Sequence, residues 1–273
     1  MAYKSILVHA GATESSDARI KLAARVAGLF GSKIIGIAAE GFFPIMTTGF
    51  AASDGMMIEA VRERIAADLP LAERRFRALT AGVADGVEWL TGYDYPAVEI
   101  ARHARGADLV VAARPPHGCN PAFAAPVADV VLEAGVPVLV VANTDAALKG
   151  DHVLVAWKNS RESRRALADA LPFLMRAAKV TMLVVSGESE EAEQAGLREV
   201  AARLARHGVD IDTLVARQGR GAVAEIIERT AMRLQADLIV MGAYGHSRLQ
   251  EWVLGGVTED LLAASPHHVL FSH

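Results

Sequence analysis

The chain has a single cysteine, Cys119, among 273 residues, which excludes an intrachain disulfide. No apolar run reaches membrane length, because the longest, Ala122 to Ala142, is broken by Pro126, Asp129, Glu133 and Pro137. The apolar run near the start, Ile6-Leu-Val-His9, is too short for a signal peptide and reads as a first strand. Basic charge is not in excess. The net charge is -4 and no long Lys/Arg run is present, so the chain carries no footprint for nucleic acid. The Gly-x4-Gly-Lys-Ser/Thr phosphate loop is missing, as is any clear set of magnesium-binding carboxylates. A cytoplasmic protein that engages neither membrane nor nucleic acid is expected.

What the chain does have is apolar residues, 52% of the total, enough for a substantial core. It also has two copies of one plan. Lys4-Ser-Ile-Leu-Val-His9 matches His152-Val-Leu-Val-Ala156, and Ala107-Asp-Leu-Val-Val-Ala112 matches Ala236-Asp-Leu-Ile-Val-Met241. Asp129-Val-Val-Leu leading to Val138-Leu-Val-Val matches Asp260-Leu-Leu-Ala leading to Val269-Leu-Phe. The polar run Asn143 to Asp151 separates them, giving domains at 1–146 and 150–273.

In the second copy, strands at Val153–Ala156, Val180–Val185, Ile211–Ala216, Leu238 and Val269 alternate with helical patterns. The helices are expected at Ser163–Leu174, Glu190–Arg206, Ala222–Leu234 and Val257–Ala264, with Gly208 closing the second. Alternation of helices with fully apolar strands predicts an α/β fold, a doubly wound parallel sheet covered on both faces.

Gly242-Ala-Tyr-Gly245 follows the apolar strand directly, and Gly255-Gly256-Val257-Thr258 opens the next helix. A strand feeding a glycine-rich loop and then a helix start suits phosphate, because backbone N–H groups and the helix dipole converge there. Glycines that only make tight turns are the alternative. The spacing Gly-x2-Gly-x9-Gly closely resembles the ATP-binding signature of the universal stress protein family. That family has Ser or Thr after the last glycine; here Gly256 stands there, and Thr258 carries a hydroxyl two residues on.

The resemblance implies two tandem five-stranded sheets of order 3-2-1-4-5, a regulatory role, and an adenine nucleotide (ATP, ADP or AMP, with Mg2+) in the second domain. Strand order then places the switch point between the first and fourth strands. Gly242 would face the sugar; Gly245, Gly255, Gly256, Val257 and Thr258 would face phosphates, and Arg248 would add a permanent charge. Backbone of Val184 and Val185 would meet adenine, with Ala156 and Lys158 on the first wall. Lys158 replaces a common acidic residue, and a solvated loop tip is its other reading. Trp157 would serve as a core anchor or at the crevice edge. In the first copy Ala113, Pro116 and Ala124-Ala125 replace the glycines, so that domain is expected not to bind a triphosphate and to act as a pseudo-dimer partner through paired last strands.

Other features carry less. His246 lacks a fixed acid/base partner, and no catalytic residue or metal ligand is assigned. His117, Cys119 and His103 lack metal-site spacing. His267-His268 reads as surface. The apolar segment Gly41 to Met57 has no counterpart in the second copy and reads as a flap, a lid or a homo-oligomer contact. The rival functions are a slow ATPase or phosphoryl-transfer enzyme, and a nucleotide-free interaction module.

Overall fold

A computed structural model describes residues 2–40, 51–114, 125–142, 147–186, 190–217, 222–245 and 256–273. It divides into two compact units, Tyr3–Ala134 and Gly135–His273 with the first two residues.

The first unit holds β1 (Ser5–His9), α1 (Asp17–Phe30), β2 (Lys33–Ala39), α2 (Ala51–Leu79), β3 (Val87–Gly92), α3 (Pro96–Ala104), β4 (Leu109–Ala112) and α4 (Val127–Glu133). Its strands run β3-β2-β1-β4, all parallel. Ile6, Leu7, Val8 and Leu109 to Val111 have no exposed surface, as expected of strands covered on both faces. Ala51 to Met57 begin α2, whereas residues 41–50 lie outside the described residues. Among the described residues no helix is long and apolar enough to cross a membrane.

The second unit holds β5 (Val138–Val140), β6 (His152–Trp157), α5 (Arg161–Asp169), α6 (Leu171–Leu174), β7 (Lys179–Ser186), α7 (Glu190–Ala205), β8 (Asp212–Arg217), α8 (Val223–Leu234), β9 (Leu238–Gly242), α9 (Gly256–Ala264) and β10 (His268–Ser272). The helix expected over Ser163–Leu174 is interrupted at Ala170. Pro172 lacks the N–H a continuous helix would need and sits instead in the first turn of α6. Gly208, with φ +74°, terminates α7 in the left-handed region that glycine enters without cost.

Strand order here is β5-β10-β9-β6-β7-β8. Counted from β6, the second repeat therefore has the order 3-2-1-4-5, with β6 between its parallel neighbours β7 and β9. The sixth strand, β5, is antiparallel to β10, with Val138, Leu139 and Val140 opposite Phe271, Leu270 and Val269. The last strands of the two repeats thus pair within one unit.

One reading is corrected by this pairing. His268 is not at the surface: it is the first residue of β10, 3% exposed, and its Nδ1 accepts a hydrogen bond from Ala142 N at 3.1 Å. His267 beside it is half-buried, and burial holds its pKa below the ordinary imidazole value against the attraction of Glu228. A polar pair at a strand entry reads as solvated in the sequence, but here the strand begins one residue earlier and the neighbouring edge is occupied.

Candidate functional site

A cleft of about 1030 Å³ opens at the carboxyl ends of β6, β7 and β9, the switch point of the second repeat's sheet. Ala156, Trp157 and Lys158 form one wall and Val184 and Val185 a second. Gly242, Tyr244 and Gly245 form a third, closed by Gly256, Val257 and Thr258 at the start of α9. The structure so brings together Ala156, Lys158, Val184, Val185, Gly242, Gly245, Gly256, Val257 and Thr258. Arg248, Gly255 and His246 lie outside the described residues, as do His117 and Cys119.

The floor is built by close approach. A β-carbon on Gly242 would lie 2.5 Å from the backbone C of Glu162 and the N of Ser163, both in the first turn of α5. This glycine is required by packing of β9 against α5, whatever it faces on its other side. A β-carbon on Gly245 would lie 2.9 Å from Glu162 Oε2 and 3.4 Å from Ser160 Oγ. Gly256 differs, since nothing lies within 4 Å of the same construction.

Ser160 caps α5 by accepting from Ser163 N at 3.2 Å, and Ser163 Oγ in turn accepts from Lys158 N at 3.4 Å. The positive end of α5 is thereby aimed at the cleft. Glu162 occupies the same turn with its side chain only 8% exposed. Burial pushes its pKa up, but hydrogen bonds from its own backbone N–H, from Ser160 and from Arg161 prevail and hold it below the ordinary 4.5. A buried, ionised carboxylate therefore stands beneath the glycine loop.

That loop is pinned from two sides. Ala243 N donates to Ser272 O at 2.8 Å, and Tyr244 N donates to the buried Thr258 Oγ1 at 3.4 Å. Tyr244 has φ +55°, a left-handed conformation costly for a residue with a side chain, and its ring packs edge-on against His273 at 6.2 Å between centroids. A fourth wall comes from α7 and α8, with Glu199, Val200, Arg203, Val223 and Ile227. The sequence reading missed this wall and, beyond Ser160 itself, the turn that Ser160 forms with Glu162 and Ser163. A serine followed by an acid two residues on, directly after a strand, was the available signal for the turn. Nothing local marks which face of α7 lines a cleft.

The first repeat shows the same backbone device differently filled. Ile6 opposes Leu109 as Val153 opposes Leu238, so His9, Ala10 and Gly11 occupy the places of Ala156, Trp157 and Lys158. Gly11 N donates to Ser16 Oγ at 2.8 Å, as Lys158 N does to Ser163. Here Arg19 covers the strand end, donating to His9 O and to Ser16 Oγ. His9 is buried and its pKa is lowered to about 3 by burial and by Arg19, so the ring is neutral. Of the positions replacing the glycines, Ala113 and Ala125 are described, while Pro116 and Ala124 are not.

Residues 150–273 match the Universal stress protein family. A universal stress protein from Archaeoglobus fulgidus DSM 4304 shares the fold with a TM-score of 0.71 at 18% identity, over 98% of this chain and 95% of that one. A functionally unknown protein from Pseudomonas aeruginosa PAO1 does so with a TM-score of 0.63 at 20% identity, over 99% of this chain and 92% of that one. No curated protein matches the chain. Residues 150–273 thus form a domain that matches the universal stress protein family, in a two-repeat architecture whose fold these full-length neighbours share.

Proposed function

We propose that the chain is a regulatory protein that binds an adenine nucleotide, ATP above all, in the cleft of its second repeat. The observation that carries this is the convergence of β6, β7, β9 and the starts of α5 and α9 on one cavity of about 1030 Å³ with two glycines on its floor. Val184 and Val185 offer backbone edges and apolar surface to a base; Gly245 and the α9 terminus offer donors to phosphates, with the positive end of α5 beside them and Lys158 at the rim. Among the described residues no group of three or more His, Cys, Asp or Glu side chains is placed to hold a metal. Magnesium would therefore arrive on the nucleotide's phosphates, where its chemistry is to neutralise charge.

Ligand binding to the folded state alone raises its stability by mass action, by about 2.7 kcal/mol at a hundredfold excess over Kd. Thermal unfolding of the full chain with and without Mg-ATP tests the reading, alongside Gly245→Val. The nucleotide should raise the wild-type melting temperature and leave the variant's unchanged. No rise at millimolar ATP would overturn the reading and leave the interaction module as the better account. The first repeat serves as a scaffold whose β1 end is occupied by Arg19.

A further inference from the structure

Resting on the nucleotide reading above, we propose that Glu162 makes the cleft charge-selective: a nucleoside polyphosphate is accepted as its divalent-cation complex and disfavoured as the bare anion. Glu162 is the second residue of α5, buried under Gly242 and Gly245. Its backbone abuts Gly242, and its Oε2 lies 2.9 Å from the place of a Gly245 β-carbon. Arg161 Nε donates to the other oxygen, Oε1, at 3.0 Å. The neutralising guanidinium, 82% exposed, thus meets the outer edge of the carboxylate and leaves the inner edge turned to the loop.

A fixed negative charge so near the phosphate positions repels every charge the ligand brings, and burial weakens the solvent screening that would hide it. A divalent ion on the phosphates cancels two of those charges before the ligand enters. Selection of this kind acts on the preformed complex, because the ion enters on the phosphates it neutralises. A carboxylate that merely favoured the start of α5 would be indifferent to the charge of what binds above it.

The test is calorimetric titration of the full chain with adenosine, with ATP in EDTA and with ATP in Mg2+. Wild type, Glu162→Gln and Arg161→Ala are compared. Glu162→Gln should bind metal-free ATP about tenfold more tightly than wild type, while adenosine affinity stays unchanged. The ratio between ATP affinities with and without Mg2+ should correspondingly shrink. Arg161→Ala, an exposed change that leaves the fold intact, should enlarge that ratio, and it decides the matter if Glu162→Gln fails to fold. ATP binding with the same magnesium ratio in the variants as in wild type would overturn the proposal and leave the nucleotide reading standing. Failure of wild type to bind either ligand would overturn both.

Discussion

Gly242 and Ser163 stand so close that a β-carbon on the glycine would lie 2.5 Å from the serine's backbone nitrogen. Neither side can yield cheaply, because both contacts at that distance are backbone atoms of α5. Gly242→Ala is therefore expected to destabilise the second unit by about 1–3 kcal/mol, the range for overpacking. Denaturant unfolding measures this directly, and a stability equal to wild type would show that α5 slides away at no cost.

Gly256 gives the opposite expectation from the same kind of geometry. Open space surrounds its β-carbon position at the start of α9, so Gly256→Ser should fold at least as stably as wild type. The added hydroxyl should tighten ATP binding severalfold, roughly the worth of one hydrogen bond of about 1 kcal/mol. Calorimetric Kd values for the two proteins decide it, and a weaker variant would place the phosphates elsewhere.

Ser160 holds both the first turn of α5 and one side of Gly245. Ser160→Ala should cost about 1 kcal/mol of stability through the lost cap. The same change should also weaken nucleotide binding, since the start of α5 loses its anchor beside Gly245. Equal ATP affinity in the variant would separate the cap from the site.

Two titratable groups in the first unit, buried His9 and half-buried Glu40, give stability opposing slopes with pH. His9 has its folded pKa lowered from 6.5 to about 3, so the unfolded chain binds its proton first. Its contribution is fully present above 6.5 and is lost as pH falls toward 3. Glu40, at the end of β2, has its pKa raised from 4.5 to about 7 by burial and by Asp68, with Arg64 opposing. Its contribution is fully present below 4.5 and is lost as pH rises toward 7. Between 4.5 and 6.5 the two slopes oppose each other. Glu40→Gln should therefore make stability fall more steeply as pH drops from 6.5 to 4.5, and stability curves at several pH values would show it. A slope unchanged from wild type would mean that Glu40 titrates in the folded chain as it does in the unfolded one.

Much of this molecule is legible in its sequence because two signals agree along it. Apolar strands of Val, Ile and Leu alternate with helical periodicity, and the repeats match strand for strand, as Ile6 and Val153 do. The glycine loop was legible because Gly242 ends an apolar strand and Gly245 follows it, and the structure shows what a side chain at either place would meet. What escaped is whatever depends on contacts distant in the chain. Glu162 resembles an ordinary helix-start acid until Gly245 is seen above it, eighty-three positions later. Arg203 and Glu199 could be solvent-facing on any helix; only the packing of α7 turns them toward the cleft. His268 escaped because its partner, Ala142, belongs to the other repeat.

The pairing of β5 with β10 gives the two halves of the chain unequal independence. A fragment cut at the repeat boundary, starting at residue 150, would carry every described residue of the cleft yet leave β10 with a bare row of backbone donors and acceptors. Such an edge is a template for pairing with another strand. A fragment starting at Gly135 keeps β5 over that edge of β10. Residues 135–149, none of whose described members lines the cleft, thus decide whether β10 of such a fragment is covered.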